Sequence, residues 1–251
     1  MDFNESRVAS DYQGLSLQVQ RRYAKGFSVQ AAYTYGVAKD TPASSMELTR
    51  PDLDYSYAGF DIRHKLALNF IAEIPYAPAN QVLKAVLGGW QVNGIAILQS
   101  GAPFTVTCTE AYPRCDFNAD GATNDRVNLA SFGTNLGSPD RQKWLTGVFT
   151  AADFTLPAPG TFGTEPRNAF RGPGFKNFDF SLFKNFELPG VTARPSRVQV
   201  RLEAFNIGNW VNLNNPSGNL TGPTFGRVTS SRTSNDTGGP RIIQLALKYI
   251  F

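Results

Sequence analysis

The sequence predicts an all-β fold: an antiparallel transmembrane β-barrel, present in part, with about 7–8 strands. Three observations predict it. Seven stretches alternate apolar and other residues with period two, as a strand does when one face lies in an apolar medium. The connections between them run short, long, short, long, short, long, which is how the turns and loops of a membrane barrel are distributed. The face opposite the apolar one carries Ser, Gln, Asn and Thr and, on one strand, Arg197, Arg201 and Glu203. A wet lumen tolerates such charges, whereas a packed core excludes them unless they are paired.

In chain order, residues 12–22 form the first strand, with Leu15, Leu17 and Val19 set against Ser16, Gln18 and Gln20. Lys25-Gly26 supplies a tight turn. Residues 27–35 return, with Phe27, Val29, Ala31, Tyr33 and Tyr35 on one face and Ser28, Gln30, Ala32 and Thr34 on the other. Residues 36–63 are polar and irregular, and carry Asp40, Asp52, Asp54 and Asp61 beside Tyr55, Tyr57 and Phe60. His64–Ile74 is the third strand, where Leu66, Leu68, Phe70, Ala72 and Ile74 alternate with Lys65, Ala67, Asn69, Ile71 and Glu73. Pro75 and Pro78 end it, and Gln81–Leu87 forms a short helical turn. Residues 89–100 make the fourth strand, whose alternation slips near Gly94; that predicts a bulge or a close contact. A Gly-, Pro-, Asn- and Asp-rich loop over 101–176 precedes the fifth strand, 178–186. Pro189-Gly190 and Pro195 form a turn before the sixth, 197–206, with Val198, Val200, Leu202 and Ala204 on one face. After a polar loop over 207–240, residues 241–251 close the series with Ile243, Leu245, Leu247 and Tyr249 at alternate positions.

The net charge of +4 is small and scattered, without a basic run or aromatic-basic interleaving, so nothing points to nucleic acid. No stretch of about 18 apolar residues exists, which excludes a transmembrane helix and leaves a barrel open. The opening MDFNESRVASDYQG lacks the basic and apolar regions of a signal peptide. With Phe251 at the inner end, the connections 23–26, 75–88 and 187–196 all fall inside, and loops 36–63, 101–176 and 207–240 outside. The first and last strands then both run inward, so their number is odd, whereas a closed bacterial barrel takes an even number. Parity and the missing leader together predict that residues 1–251 are a single C-terminal segment of a larger barrel. Trp90, Tyr23, Phe27, Phe186 and Phe251 gather at inner strand ends and predict an aromatic girdle.

The closing strand, with apolar or aromatic residues at alternate positions up to Phe251, resembles the last strand of bacterial outer-membrane β-barrels. That resemblance implies contact with the barrel-assembly machinery through Tyr249 and Phe251. An ordered set of short runs is more specific. Residues 89–95 (GWQVNGI), 99–104 (QSGAPF), 167–174 (RNAFRGPG), 183–186 (FKNF), 203–206 (EAFN) and 225–228 (FGRV), with the 248–251 end, resemble the barrel of Oar-like TonB-dependent receptors. Membership would imply a barrel of about 22 strands plugged by an N-terminal domain, with uptake driven by the TonB system. The plug and the TonB motif are absent from this sequence.

Asp116, Asn118 and Asp120, followed by Gly121, match the opening of a calcium loop, with oxygens at positions 1, 3 and 5 and Gly at 6. Position 12 is Val127 rather than an acid, and Asn124 and Asp125 could substitute. The alternative is an Asx-rich surface loop. Cys108 and Cys115 share the same loop and predict a small disulfide ring in an oxidising compartment; the alternative is two free thiols. His64, at a strand end between Arg63 and Lys65, reads as an interface or solvated residue rather than a catalytic one. No catalytic motif is present, and no cofactor other than calcium is implied. Two further readings stand beside the transport barrel: a secreted β-sandwich that binds a glycan or protein through its loops, and a small stand-alone porin or adhesin barrel.

Overall fold

A computed structural model describes residues 8–42, 46–47, 49–76, 78–110, 114–122, 125–137, 139–188, 196–232 and 238–251. The turn built on Pro189-Gly190 and Pro195, and Asn124, lie outside the described residues. Seven long strands form one antiparallel sheet: β1 (Ser10–Ala24), β2 (Phe27–Asp40), β4 (His64–Ile74), β5 (Trp90–Gln99), β8 (Phe175–Leu188), β9 (Ser196–Phe205) and β10 (Ile242–Ile250). They pair in that order. The short β3 (Ser56–Tyr57) adds to the loop end of β2. The sheet is not closed: β1 and β10 each pair on one side only.

Register decides the faces, because directly opposite residues share a face. One row across the sheet reads Val29, Phe70, Gly94, Phe180, Ala204 and Ile243. The next reads Ser28, Ile71, Asn93, Ser181, Glu203 and Gln244. Each alternating set read from the sequence therefore falls on one common face of the sheet. Among the described residues, no second layer covers that apolar face. Leu17 is 56% exposed, Leu245 76% and Leu247 74%.

Lys25 and Gly26 both take positive φ, 53° and 77°, as the two-residue turn of a twisted hairpin requires. The helical turn appears as α1 (Gln81–Leu87), capped by Asn80, whose Oδ1 accepts from Val82 N at 2.9 Å. Gly94 lies in unbroken register, so the expected bulge is absent and the close contact is what forms. A Cβ there would sit 2.4 Å from the Phe70 ring. β2 continues past Tyr35 to Asp40, because Gly36 and Gly14 face each other under the Tyr12 ring. Aromatic cover of this kind makes Gly tolerable in a strand. Tyr23 departs from the expected girdle. The β1–β2 register shifts between Arg21 and Ala24, and the Tyr23 hydroxyl pairs with Glu73, on the polar face.

The long loop 101–176 is not structureless. It holds β6 (Pro103–Phe104) paired with β7 (Phe170–Arg171), and the helix α2 (Arg141–Thr146). Most of the buried apolar residues lie there rather than under the sheet. Phe104, Val106, Phe117, Val127, Phe149, Phe154 and Phe170 pack together with both cysteines, and Leu220 and Phe225 from the last loop close the cluster.

Candidate functional site

The three long connections meet at one end of the sheet and form a single unit. Three arginines of the long loop hold three aspartates of the first loop region. Arg126 pairs with Asp54, Arg167 with Asp40, and Arg171 with Asp61. Arg126 and Asp54 are 5% and 2% exposed, so this pair is fully withdrawn from water. Arg126 also donates Nη2 to Leu53 O at 2.8 Å and Nε to Glu165 O at 2.8 Å. Asp61 Oδ1 accepts from Ala38 N at 2.6 Å, which ties the pairs to the end of β2. The guanidiniums of Arg63 and Arg171 both lie against the Tyr57 ring, 4.6 and 4.9 Å from its centroid.

The RNAFRGPG run is the centre of this clamp. Asn168, with φ 56°, donates Nδ2 to Tyr57 O at 2.6 Å, and its own N–H goes to Thr105 Oγ1 at 2.8 Å. Phe170 is fully buried between Phe104 and Phe149. Gly172 backs onto Gly101, where a Cβ would lie 1.7 Å from Gly172 O, so only Gly fits. Asn206 of the EAFN run, with φ 47°, spans both ends of the last loop. Its Nδ2 donates to Trp210 O at 2.9 Å and Gly239 O at 2.7 Å. In the FGRV run, Gly226 O and Val228 N bond Val148 N and Trp144 O, which stitches the last loop onto the long one.

Glu165 is 1% exposed. Its Oε1 accepts from Val106 N at 2.9 Å, while Oε2 has no partner among the described residues. Burial pushes its carboxyl up to about 8, against the opposing pull of Val106 N–H and Arg126. Burial likewise raises Asp125, with Asp120 and Asp116 adding repulsion.

The expected calcium residues fall in one turn, but their oxygens are engaged by the chain. Asp116 accepts from Asp120 N at 3.1 Å and Gly121 N at 3.0 Å. Asn118 Oδ1 accepts from Asp120 N at 3.2 Å, and its Nδ2 donates to Met46 O at 3.0 Å and Asp120 Oδ2 at 3.1 Å. Asp120 Oδ1 accepts from Ala122 N at 2.7 Å. Asp125 Oδ2 accepts from Phe117 N at 2.5 Å, while Oδ1 is buried without a partner among the described residues. Among the described residues, no three acidic, histidine or cysteine side chains are grouped to hold a metal. Cys108 and Cys115 form a disulfide, buried in the phenylalanine cluster. His64 Nδ1 bonds the Tyr33 hydroxyl at 2.8 Å at the loop end of the apolar face. Lys176 and Trp210 stack nearby at the same end of the sheet, 5.0 Å apart.

An open depression of about 630 Å³ lies between β1 and the first loop, lined by Ala9, Thr41, Thr49, Pro51, Asp52 and Tyr55. A narrower groove of about 330 Å³ runs beside the disulfide, between Arg114, Leu156, Pro157 and Pro159. These surfaces offer shape and polar contacts to a ligand.

The sequence alone flagged the aspartates and the RNAFRGPG run, but gave no role to Arg126, Arg167 or Arg171. Glu165 carried no signal at all. Each makes its contact across a long stretch of chain; Arg167, for example, lies 127 residues from Asp40.

A family model for an outer membrane beta barrel domain matches residues 1–244. The chain belongs to that family. No curated protein and no solved structure matches it. The barrel therefore sits in the bacterial outer membrane, and its uncovered apolar face is the face that meets lipid. This decides against a secreted sandwich, in which a second sheet would cover that face.

Proposed function

We propose that the chain is the C-terminal part of a larger transport barrel of the Oar-like, TonB-dependent uptake type, with the clamped loop unit as its external ligand-capturing cap. The observation that carries this reading is the pair of open sheet edges. β1 and β10 run in the same direction, so joining them directly would make a parallel seam. Left open in hydrocarbon, their unpaired N–H and C=O groups would cost several kcal/mol each. An odd number of further strands repairs both faults. The structural roles of the RNAFRGPG, EAFN and FGRV runs support the same reading. So does the stacked Tyr249–Phe251 pair at the end of β10, a surface for the assembly machinery.

Two measurements separate the parts of this proposal. An antibody to the loop unit, used on outer membranes, should detect a mature protein several times larger than 27.4 kDa. A product of 27.4 kDa would leave a small stand-alone barrel. Site-directed crosslinking in cells should then join the same protein to TonB. A large barrel that never crosslinks to TonB would retain the size and overturn the uptake mechanism.

Calcium at Asp116, Asn118 and Asp120 is a second proposal. It is supported by Oδ1 of Asp125 beside them, buried without a partner among the described residues, on a carboxylate that Asp116 and Asp120 repel. Calorimetry on the folded protein should show calcium uptake that Asp120→Ala abolishes. No heat at millimolar calcium would leave an Asx-rich turn.

A further inference from the structure

We infer that α1, on the periplasmic turn between β4 and β5, is an interfacial anchor that lies in the inner leaflet of the outer membrane. Every described side chain of the helix is exposed, and Val82 reaches 72%, Leu83 48%, Val86 58% and Leu87 42%. At 100° per residue these four occupy one arc of about 140°, and Lys84 falls outside it. A seven-residue helix has no stability of its own in water, and this one buries no apolar side chain against the protein. Its stabilising contact must come from an apolar medium.

The tethers place that medium. Trp90 Nε1 donates to Val86 O at 2.9 Å, and Lys184 Nζ donates to Gly88 O just beyond the helix. Trp90 and Lys184 belong to the lipid-facing row that reads Ile74, Trp90, Lys184, Val200 and Leu247. The helix is thus hung from the lipid side of the wall, not from the lumen side. Lys184 lies against the Trp90 and Phe186 rings, 5.5 and 5.0 Å from their centroids, where aromatic side chains mark the headgroup level. Lys84 is the one charged residue between Pro75 and Trp90, so phospholipid phosphates meet a cation and no carboxylate. Helices of this kind sit about 5–10 Å deep, at the headgroup–acyl boundary. The occupant of the face is phospholipid.

The test uses the complete protein in phospholipid liposomes, with the native disulfide intact and single cysteines at Val82, Lys84, Val86 or, as a wall reference, Leu247. A dye at 82 or 86 should be quenched by phospholipids carrying a quencher high on the acyl chain, and a dye at 84 should not. Without any dye, Val82→Cys and Val86→Cys should react with a charged thiol reagent about tenfold more slowly than Lys84→Cys, the factor that withdrawing one such side chain from water corresponds to. Equal reactivity at 82, 84 and 86, with the dye at 247 still quenched, would overturn the inference.

Discussion

The wall and the cap of this barrel are built in opposite senses. In the sheet, most apolar side chains point outward with no second layer over them among the described residues, and most polar ones face the other way. In the loop unit, most of the phenylalanines, the disulfide and the Arg126–Asp54 pair are buried, as in a water-soluble domain. The difference teaches where each part finds its stability. The wall relies on lipid and on ladder hydrogen bonds, so it should fail when its outer surface is made polar. The cap relies on its own packing and on three arginines, so it should fail when a buried charge loses its partner.

The largest effect is expected in the cap. Asp54→Ala leaves the Arg126 guanidinium buried without its carboxylate, a loss of about 3–5 kcal/mol for a pair of this kind. Hydrogen exchange and proteolysis over residues 101–176 should rise sharply, while the strands keep their pairing. Strands that unfold together with the cap would show that the two regions are one cooperative unit.

The cap should also respond to pH, and the wall much less. Glu165 titrates near 8 in the folded cap, against about 4.5 when unfolded. A raised value of this kind contributes stability that is fully present below 4.5 and is lost as pH rises through 8. At roughly 1.4 kcal/mol per pKa unit the loss amounts to a few kcal/mol. Asp125, also raised, acts in the same direction. Glu165→Gln should flatten the profile of cap opening between pH 5 and 9. An unchanged slope would place the titrating group elsewhere.

The wall gives the next effect. Val200→Arg, on the lipid face of β9, should cost about 2–4 kcal/mol in a bilayer. Arg201→Leu, its neighbour on the polar face, should change stability far less. Equal costs would mean that the two faces are not in different solvents.

The same contrast explains what was legible in the sequence. The strands could be read because one solvent, lipid, acts on every second residue, and that constraint is local. Leu15 to Val19 or Ile243 to Tyr249 carries it within a few positions. The extension of β2 to Asp40 was not readable, because it depends on Tyr12 covering Gly36 from another strand. The absence of a bulge at Gly94 is similar: a slip in the apolar pattern meant a ring from Phe70 filling the gap, not an extra residue. The cap was mostly illegible. Its core joins residues from 104 to 225, and its ion pairs span 72, 110 and 127 residues, distances at which no periodicity exists. The cysteine pair was readable because it closes a short ring within one loop.

The most direct test of the central claim, that one face of this sheet lies in lipid, is a scan along four residues of β9. Single cysteines at Val200, Arg201, Leu202 and Glu203 in the complete protein, in native outer membranes, carry a dye read against a lipid-borne quencher and a water-borne one. Val200 and Leu202 should be quenched from the lipid, and Arg201 and Glu203 from the water of the lumen. No lipid quenching at 200 and 202 would contradict the account.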